Sequence, residues 1–268
     1  MINNFALIVL SCDKYSDTWD PFFKSFFSNW KDFSSKIYLV TNEKEIMNRK
    51  QIKVIKTGPE YSWSSKVRKA IKEIDEQYVL VMLDDYFLTE EVNNDYFYSI
   101  IDLIMKNNID YISLVPSKTI KNDLTFLNIK RISNKNLYGK TLQPSIWRKD
   151  YLLKCLFEDD FSPWEFENRQ KMKSDFVING NDYCVIDNFF QFCNGVLQGD
   201  WYPKCIRELK KNSIYVDEKH RDQLNLRKIF KYKFRVLLSK IVPTPIIRKS
   251  RKILEKIGFK FITKGEKK

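Results

Sequence analysis

Histidine is nearly missing from this chain of 268 residues, which has only His220. One imidazole excludes a histidine-rich metal site and argues against a Ser-His-Asp relay. Cysteine is also sparse. Cys12, Cys155, Cys184, Cys193 and Cys205 are odd in number and include no Cys-x-x-Cys pair, so the pattern predicts neither a zinc site nor a disulfide framework. Cys12 and Cys155 have apolar neighbours and read as small core residues. Residues 11–15, directly after the first apolar run, contain no glycine. That argues against nucleotidyl transfer, which needs a glycine-rich phosphate loop there. No apolar run approaches the ~20 residues of a membrane span, and residues 5–10 are too short for a signal-peptide core. These absences predict a cytoplasmic chain without an integral anchor.

What is present is a globular composition, 43% hydrophobic and 15% aromatic. The length suits one core with a small appendage. The formal net charge of +13 is unevenly distributed. Residues 224–268 hold 15 Lys/Arg against 2 Asp/Glu, while residues 1–223 hold 32 of each. The body is neutral and the tail carries the whole excess, which predicts two regions, 1–223 and 224–268, with an anionic partner for the second.

Short buried strands are expected at 5–10, 36–41, 52–56 and 78–83. A helix over 18–30 buries Trp19, Phe22, Phe23, Phe26, Phe27 and Trp30, with Pro21 in its first turn. A second helix, capped by Ser62 or Ser64, runs to about 74. The order β-α-β-β-α-β predicts an α/β fold, a mostly parallel sheet covered by helices. Further on, helices are expected at 95–106, 148–157, from 162 and at 205–211, strands at 110–116 and 184–186, and a turn at 196–203.

The chain is organised around residues 78–90, where an apolar strand stops at Asp84 and Asp85. Two buried acids cost several kcal/mol each unless paired. Either Asp84 caps a turn and Asp85 meets a Lys or Arg, or the two hold Mg²⁺ or Mn²⁺ against a diphosphate. Trp63, Lys66 and Arg68 open the second helix, whose amides favour anions; the two cations either serve a phosphate or form a solvated face. Asp13, beside Ser11 and Lys14, is either a turn residue or an acceptor for a base or ribose. Ser162-Pro163-Trp164-Glu165 has the form of a capping box, which explains Glu165 without a function. A glutamate beside a tryptophan also suits a general base under a sugar ring, and Glu167 is the second candidate.

Five segments together resemble the GT-A class of nucleotide-sugar glycosyltransferases, in particular small bacterial enzymes of capsule, O-antigen and lipopolysaccharide assembly. They are FALIVLSCDKYSDTW, YSWSSKVRKAI, YVLVMLDDYFL, LQPSIWRKDYL and SPWEFE, within residues 5 to about 167, with a weaker echo at QGDWYP. The resemblance implies a Rossmann-like sheet, a nucleotide-diphosphate sugar donor and a divalent cation (Mn or Mg). It reads Asp84-Asp85 as a variant of the class's Asp-x-Asp motif, departing from it because the acids are adjacent and residue 86 is Tyr. On that reading Asp85 contacts the metal, with Asp84 nearer the ribose or an activating lysine. Ser11, Asp13, Lys14, Trp63, Lys66 and Arg68 serve the donor. Trp147 and Trp164 flank the acceptor, and Glu165 or Glu167 is the base of an inverting displacement.

The resemblance does not cover the tail. Its residues alternate apolar and basic faces, with Arg227, Lys231, Arg235, Arg248 and Lys252 on or beside the basic one. Such helices suit the anionic inner face of a membrane, where a lipid-linked or polysaccharide acceptor is found; the other reading is a packed, solvated helical hairpin. Nucleic acid is not an expected partner, since the body has no charge excess and no reader motif. The expected function is metal-dependent glycosyl transfer at a membrane surface. The alternative is a non-catalytic assembly scaffold with a degenerate nucleotide site.

Overall fold

The computed structural model describes residues 4–59, 62–116, 129–132, 140–172 and 180–241, with the backbone alone at 168–172 and 235–241. The expected features at Arg248 and Lys252, and the side chain of Arg235, lie outside this set. β1 (Phe5–Leu10) is buried throughout. A 3-10 turn (Asp13–Tyr15) leads into α1 (Ser16–Asn29), then β2 (Lys36–Thr41) and β3 (Ile52–Lys56). Next come α2 (Trp63–Lys72), β4 (Tyr78–Leu83), β5 (Tyr86–Leu88), α3 (Asn94–Lys106), β6 (Tyr111–Ser113) and β7 (Ile129–Arg131). β8 (Ser145–Arg148), α4 (Lys149–Leu156), α5 (Pro163–Met172), β9 (Asp182–Val185) and β10 (Phe192–Asn194) follow. The described chain ends with β11 (Val196–Leu197), β12 (Asp200–Trp201), α6 (Pro203–Lys211) and α7 (Leu226–Ile241).

Eight strands form the central sheet in the order β3-β2-β1-β4-β8-β6-β9-β7. β1 pairs in parallel with β2 and β4, β2 with β3, and β6 with β9; β8 and β7 run antiparallel to their neighbours. This is the mostly parallel, Rossmann-like α/β sheet that the sequence implied, with the 3-2-1-4 half intact. The period of two divides the central strands between two cores. Phe5, Leu7 and Val9 face α1 and α3, while Ala6, Ile8 and Leu10 face α2 and α4. Aromatics fill the first core: Trp30 meets Phe97 at 4.7 Å and Phe33 at 4.8 Å between ring centroids. Pro21 falls in the second turn of α1, not its first, because that helix starts at Ser16.

The stretch after Asp85 does not continue β4. β5 leaves the main sheet and pairs antiparallel with β10. Beyond it, β11 and β12 make a hairpin whose two turn residues, Gln198 and Gly199, have φ of 56° and 90°. Both positions need left-handed backbone, as a type I′ connection requires. The cysteine reading needs correction here: Cys193 and Cys205 form a disulfide across 12 residues, tying β10 to α6. Neither has a Cys-x-x-Cys partner, so local spacing gave no signal. Among the described residues, no helix is long and apolar enough to cross a membrane.

Candidate active site

β4 ends where the sheet's parallel strands present their carboxyl ends, and a cavity of about 980 Å³ opens there. Its lining includes Ser11 and Cys12 after β1, Trp63 and Lys66 of α2, Asp84 and Asp85 after β4, Trp164 and Glu167 of α5, and Gln198 and Gly199 of the hairpin. Lys228 and Lys231 of α7 complete it. The strand ends and the α2 start are thus joined by the first helix of the basic tail.

Asp84 is only 6% exposed. Ser11 Oγ donates to its Oδ2, and Trp19 Nε1 donates in turn to Ser11 Oγ at 2.6 Å. Burial holds the Asp84 carboxyl well above the usual carboxylate range, the neighbouring charge of Asp85 raises it further, and the Ser11 and Thr18 hydroxyls oppose both. Asp85 is pushed up to about 6 by burial, against a stabilising Val196 amide and the charge of Arg221. Its carbonyl accepts the Gly195 amide at 2.7 Å. Residue 195 must be glycine for that approach, since a Cβ there would lie 2.0 Å from the Phe87 ring.

Neither acid forms an ion pair among the described residues, although the charge of Arg221 acts on both. Two hard oxygen donors at a cavity wall fit a divalent cation that completes its shell with diphosphate oxygens and water. No group of three or more His, Cys, Asp or Glu could hold a metal among the described residues. Any such cation therefore depends on the substrate for much of its coordination.

Asp13, Arg68 and Trp147 have structural partners, Lys14 lies outside the cavity lining, and Ser62 is the expected helix cap. The Asp13 carboxylate accepts the amides of Asn42 (2.9 Å), Glu43 and Lys44, locking the loop after β2. Lys14 is exposed and outside the cavity lining. Ser62 is the cap of α2, accepting the Ser65 amide at 3.2 Å. Arg68 Nη1 donates to the carbonyls of Phe157 (2.7 Å) and Asp159 (2.9 Å), so it clamps α2 to the α4–α5 connection and is not a phosphate ligand. Trp147 is fully buried in β8, donating Nε1 to Ser145 Oγ at 2.8 Å, and cannot be an acceptor platform. Its strand places it in the α2/α4 core, against Tyr111 at 4.3 Å. Cys12, expected in the core, is half-buried in the cavity wall.

The capping box is real. Glu165 Oε2 accepts the Ser162 amide at 2.7 Å, and Ser162 Oγ accepts the Glu165 amide at 3.3 Å. Glu165 is engaged in this cap and is absent from the cavity lining. Glu167 does line the cavity, and its Oε1 accepts the Leu142 amide at 2.9 Å. Trp164, 54% exposed, stands at the rim. Trp63 is braced from behind by Phe166 at 5.6 Å.

Sequence reasoning missed Arg221. Its guanidinium is buried against Asp17, with Nε and Nη2 each donating at 2.8 Å. Nη1 donates to the Gly199 carbonyl at 2.7 Å, and the group lies over the Tyr15 ring at 4.5 Å. It joins the start of α1 to the β11–β12 hairpin. Lys228 pairs with Asp200 of the same hairpin. The separation of 204 residues between Arg221 and Asp17 leaves no local pattern to read.

No family model and no curated protein matches the chain. Among solved structures, Staphylococcus aureus TarS is similar at 13% identity and a TM-score of 0.49, over 80% of this chain and 40% of that one. Residues 1–349 of TarS in complex with UDP-GlcNAc give 13% identity and 0.48, over 90% of this chain and 77% of that one. The mannosyltransferase PcManGT from Pyrobaculum calidifontis, in complex with GDP-Man and Mn²⁺, gives 8% identity and 0.37, over 55% and 45%. The chain thus spans under half the length of full TarS. At these identities and scores the likenesses assign no residue a role.

Proposed function

We propose that this chain is a glycosyltransferase that moves a sugar from a nucleotide-diphosphate donor to a hydroxyl acceptor in the cavity beyond β4. The observation that carries the reading is the adjacent, unpaired acids Asp84 and Asp85, facing lysines from two helices across a cavity with tryptophan walls. A carboxylate pair opposite cations suits a diphosphate bridged by a divalent metal.

Asp85 and Asp84 would hold Mg²⁺ or Mn²⁺, which when bound screens the charge of the leaving diphosphate. Lys66, in the first turn of α2, and Lys228 and Lys231 of α7 supply further positive charge. Trp63 and Trp164 offer apolar faces for a base or sugar ring. Glu167, oriented by the Leu142 amide, takes the acceptor's hydroxyl proton as that oxygen bonds to the anomeric carbon. The anomeric C–O bond to the diphosphate breaks, and the nucleoside diphosphate leaves with the electron pair. One base and one displacement make the reaction inverting. The acceptor is a lipid-linked sugar or growing glycan of the bacterial surface. The basic tail holds the enzyme peripherally on the inner membrane face.

A hydrolysis panel of UDP- and GDP-sugars with Mn²⁺ tests the reading. Release of nucleoside diphosphate is expected from at least one donor, and Asp85→Ala should lower it about a thousandfold while leaving the fold intact. Full turnover in that variant would overturn the metal assignment. If no nucleoside diphosphate raises the melting temperature with or without Mn²⁺, the cavity is a degenerate nucleotide site in a non-catalytic scaffold.

A further inference from the structure

A second cavity, of about 840 Å³, lies between α6 and α7. Lys204 and Arg207 line it from α6, and Arg227 and Lys233 from α7. No acidic residue lines it, and none of these four cations makes an ion pair among the described residues. All four are exposed. Its floor is apolar, with the buried Leu224 and half-buried Ile229 among the lining, and at its edge Leu226 is 85% exposed. Beside it on α7, Phe230 is 70% exposed and stacks on Phe234 at 6.2 Å.

The helical period separates three faces of α7. Lys228 and Lys231, three residues apart, line the donor cavity. Leu226, Ile229 and Lys233, at i, i+3 and i+7, line the second cavity. Phe230 and Phe234, at i and i+4, stand in solvent next to that second face. A cleft with four unopposed cations, an apolar floor and an aromatic edge has the chemistry of a phosphate attached to hydrocarbon. Free phosphate would not use the floor or the aromatic edge, and a hydrophobic peptide would leave the cations unopposed.

We propose that the α6–α7 groove binds the phosphate headgroup of an anionic phospholipid, with Phe230 entering the interface beside it. This inference rests on the reading of the tail as a membrane contact and deepens it. Half of the cations belong to α6, within the body of the protein. Docking by this groove would also seat α7, and therefore Lys228 and Lys231, against the donor cavity.

The test uses the full chain and its double variant Arg207→Glu/Lys233→Glu, neither residue being part of the donor cavity. Binding is measured to dihexanoyl phosphatidylglycerol below its micelle point, to dihexanoyl phosphatidylcholine and to inorganic phosphate. Flotation is measured with phosphatidylcholine vesicles, with and without phosphatidylglycerol. The wild-type chain should bind the soluble anionic lipid and float with anionic vesicles, and the variant should bind that lipid about tenfold or more weakly. Phosphatidylcholine and inorganic phosphate should bind comparably weakly. Equal lipid binding by the variant, or inorganic phosphate binding as well as the lipid, overturns the groove assignment while leaving the tail reading in place. Failure of the wild-type chain to float overturns both. Binding to an oligonucleotide but to no lipid would mark the groove as a nucleic-acid surface. Donor hydrolysis in the same samples separates these outcomes from failure of the glycosyltransferase reading. If the charge reversals unfold the chain, Arg207→Gln/Lys233→Gln serves in their place.

Discussion

The two walls of the cavity beyond β4 are built by different physics. One wall is the ends of β1 and β4 with the start of α2, positioned by strands buried along almost their whole length. The other is the β11–β12 hairpin and α7: the hairpin is anchored by the fully buried Trp201, while α7 leaves Leu226 and Phe230 exposed, and polar and covalent ties hold this wall as well. Those ties are Arg221 to Asp17 and Gly199, Lys228 to Asp200, and the Cys193–Cys205 disulfide. The first wall inherits the stability of the whole sheet. The second depends in addition on these ties between separate parts of the chain.

The largest effect should come from cutting the buried tie. Arg221→Met leaves Asp17 charged and buried, and should cost about 3–5 kcal/mol in urea unfolding. A loss under about 1 kcal/mol would mean that the second wall does not depend on it. Cys193→Ser with Cys205→Ser removes a short covalent loop and should cost about 3 kcal/mol, read as a lower melting temperature that dithiothreitol does not depress further. Glu167→Gln should slow turnover about a hundredfold, equivalent to roughly 2.7 kcal/mol in barrier, without moving the melting temperature. Glu165→Ala should do the reverse, costing about 1 kcal/mol of stability through its lost cap and leaving turnover unchanged. If the two glutamate variants exchange these behaviours, the base is Glu165.

The first wall was largely legible in the sequence. An unbroken apolar run that stops at two acids states both a buried strand and a place where charge must be answered, and Asp84 and Asp85 lie there. The capping box was equally plain, and so was the possibility that it explained Glu165 entirely. Trp147 and Arg68 misled for a shared reason. A tryptophan in a short apolar segment, or an arginine one turn into a helix, looks the same from sequence whether it faces solvent or protein. Only the packing of β8 against the α2/α4 core buried Trp147, and only the carbonyls of Phe157 and Asp159 gave Arg68 its partners. The tail was read as an appendage, yet its first helix borders the cavity beyond β4.

Local interactions have local signatures. The period of two in β1 and β4, the period of 3.6 in α1 and α7, the Ser162–Glu165 box and the charge excess of the tail all follow from neighbours within a few residues. The sequence alone therefore determined the strands of the β3-β2-β1-β4 half, the helices, the α/β class and the position of the acid pair, but not β5, β10, β11 or β12. The second wall depends on contacts whose partners are chosen by the chain's path: Arg221 with Asp17, Cys193 with Cys205, β5 with β10 and Lys228 with Asp200. A lone arginine or cysteine has many possible partners, and loop closure brings only one of them within reach. Tertiary structure thus decided which glutamate lines the cavity, which lysines share that cavity with the acids, and that the first helix of the basic tail borders it.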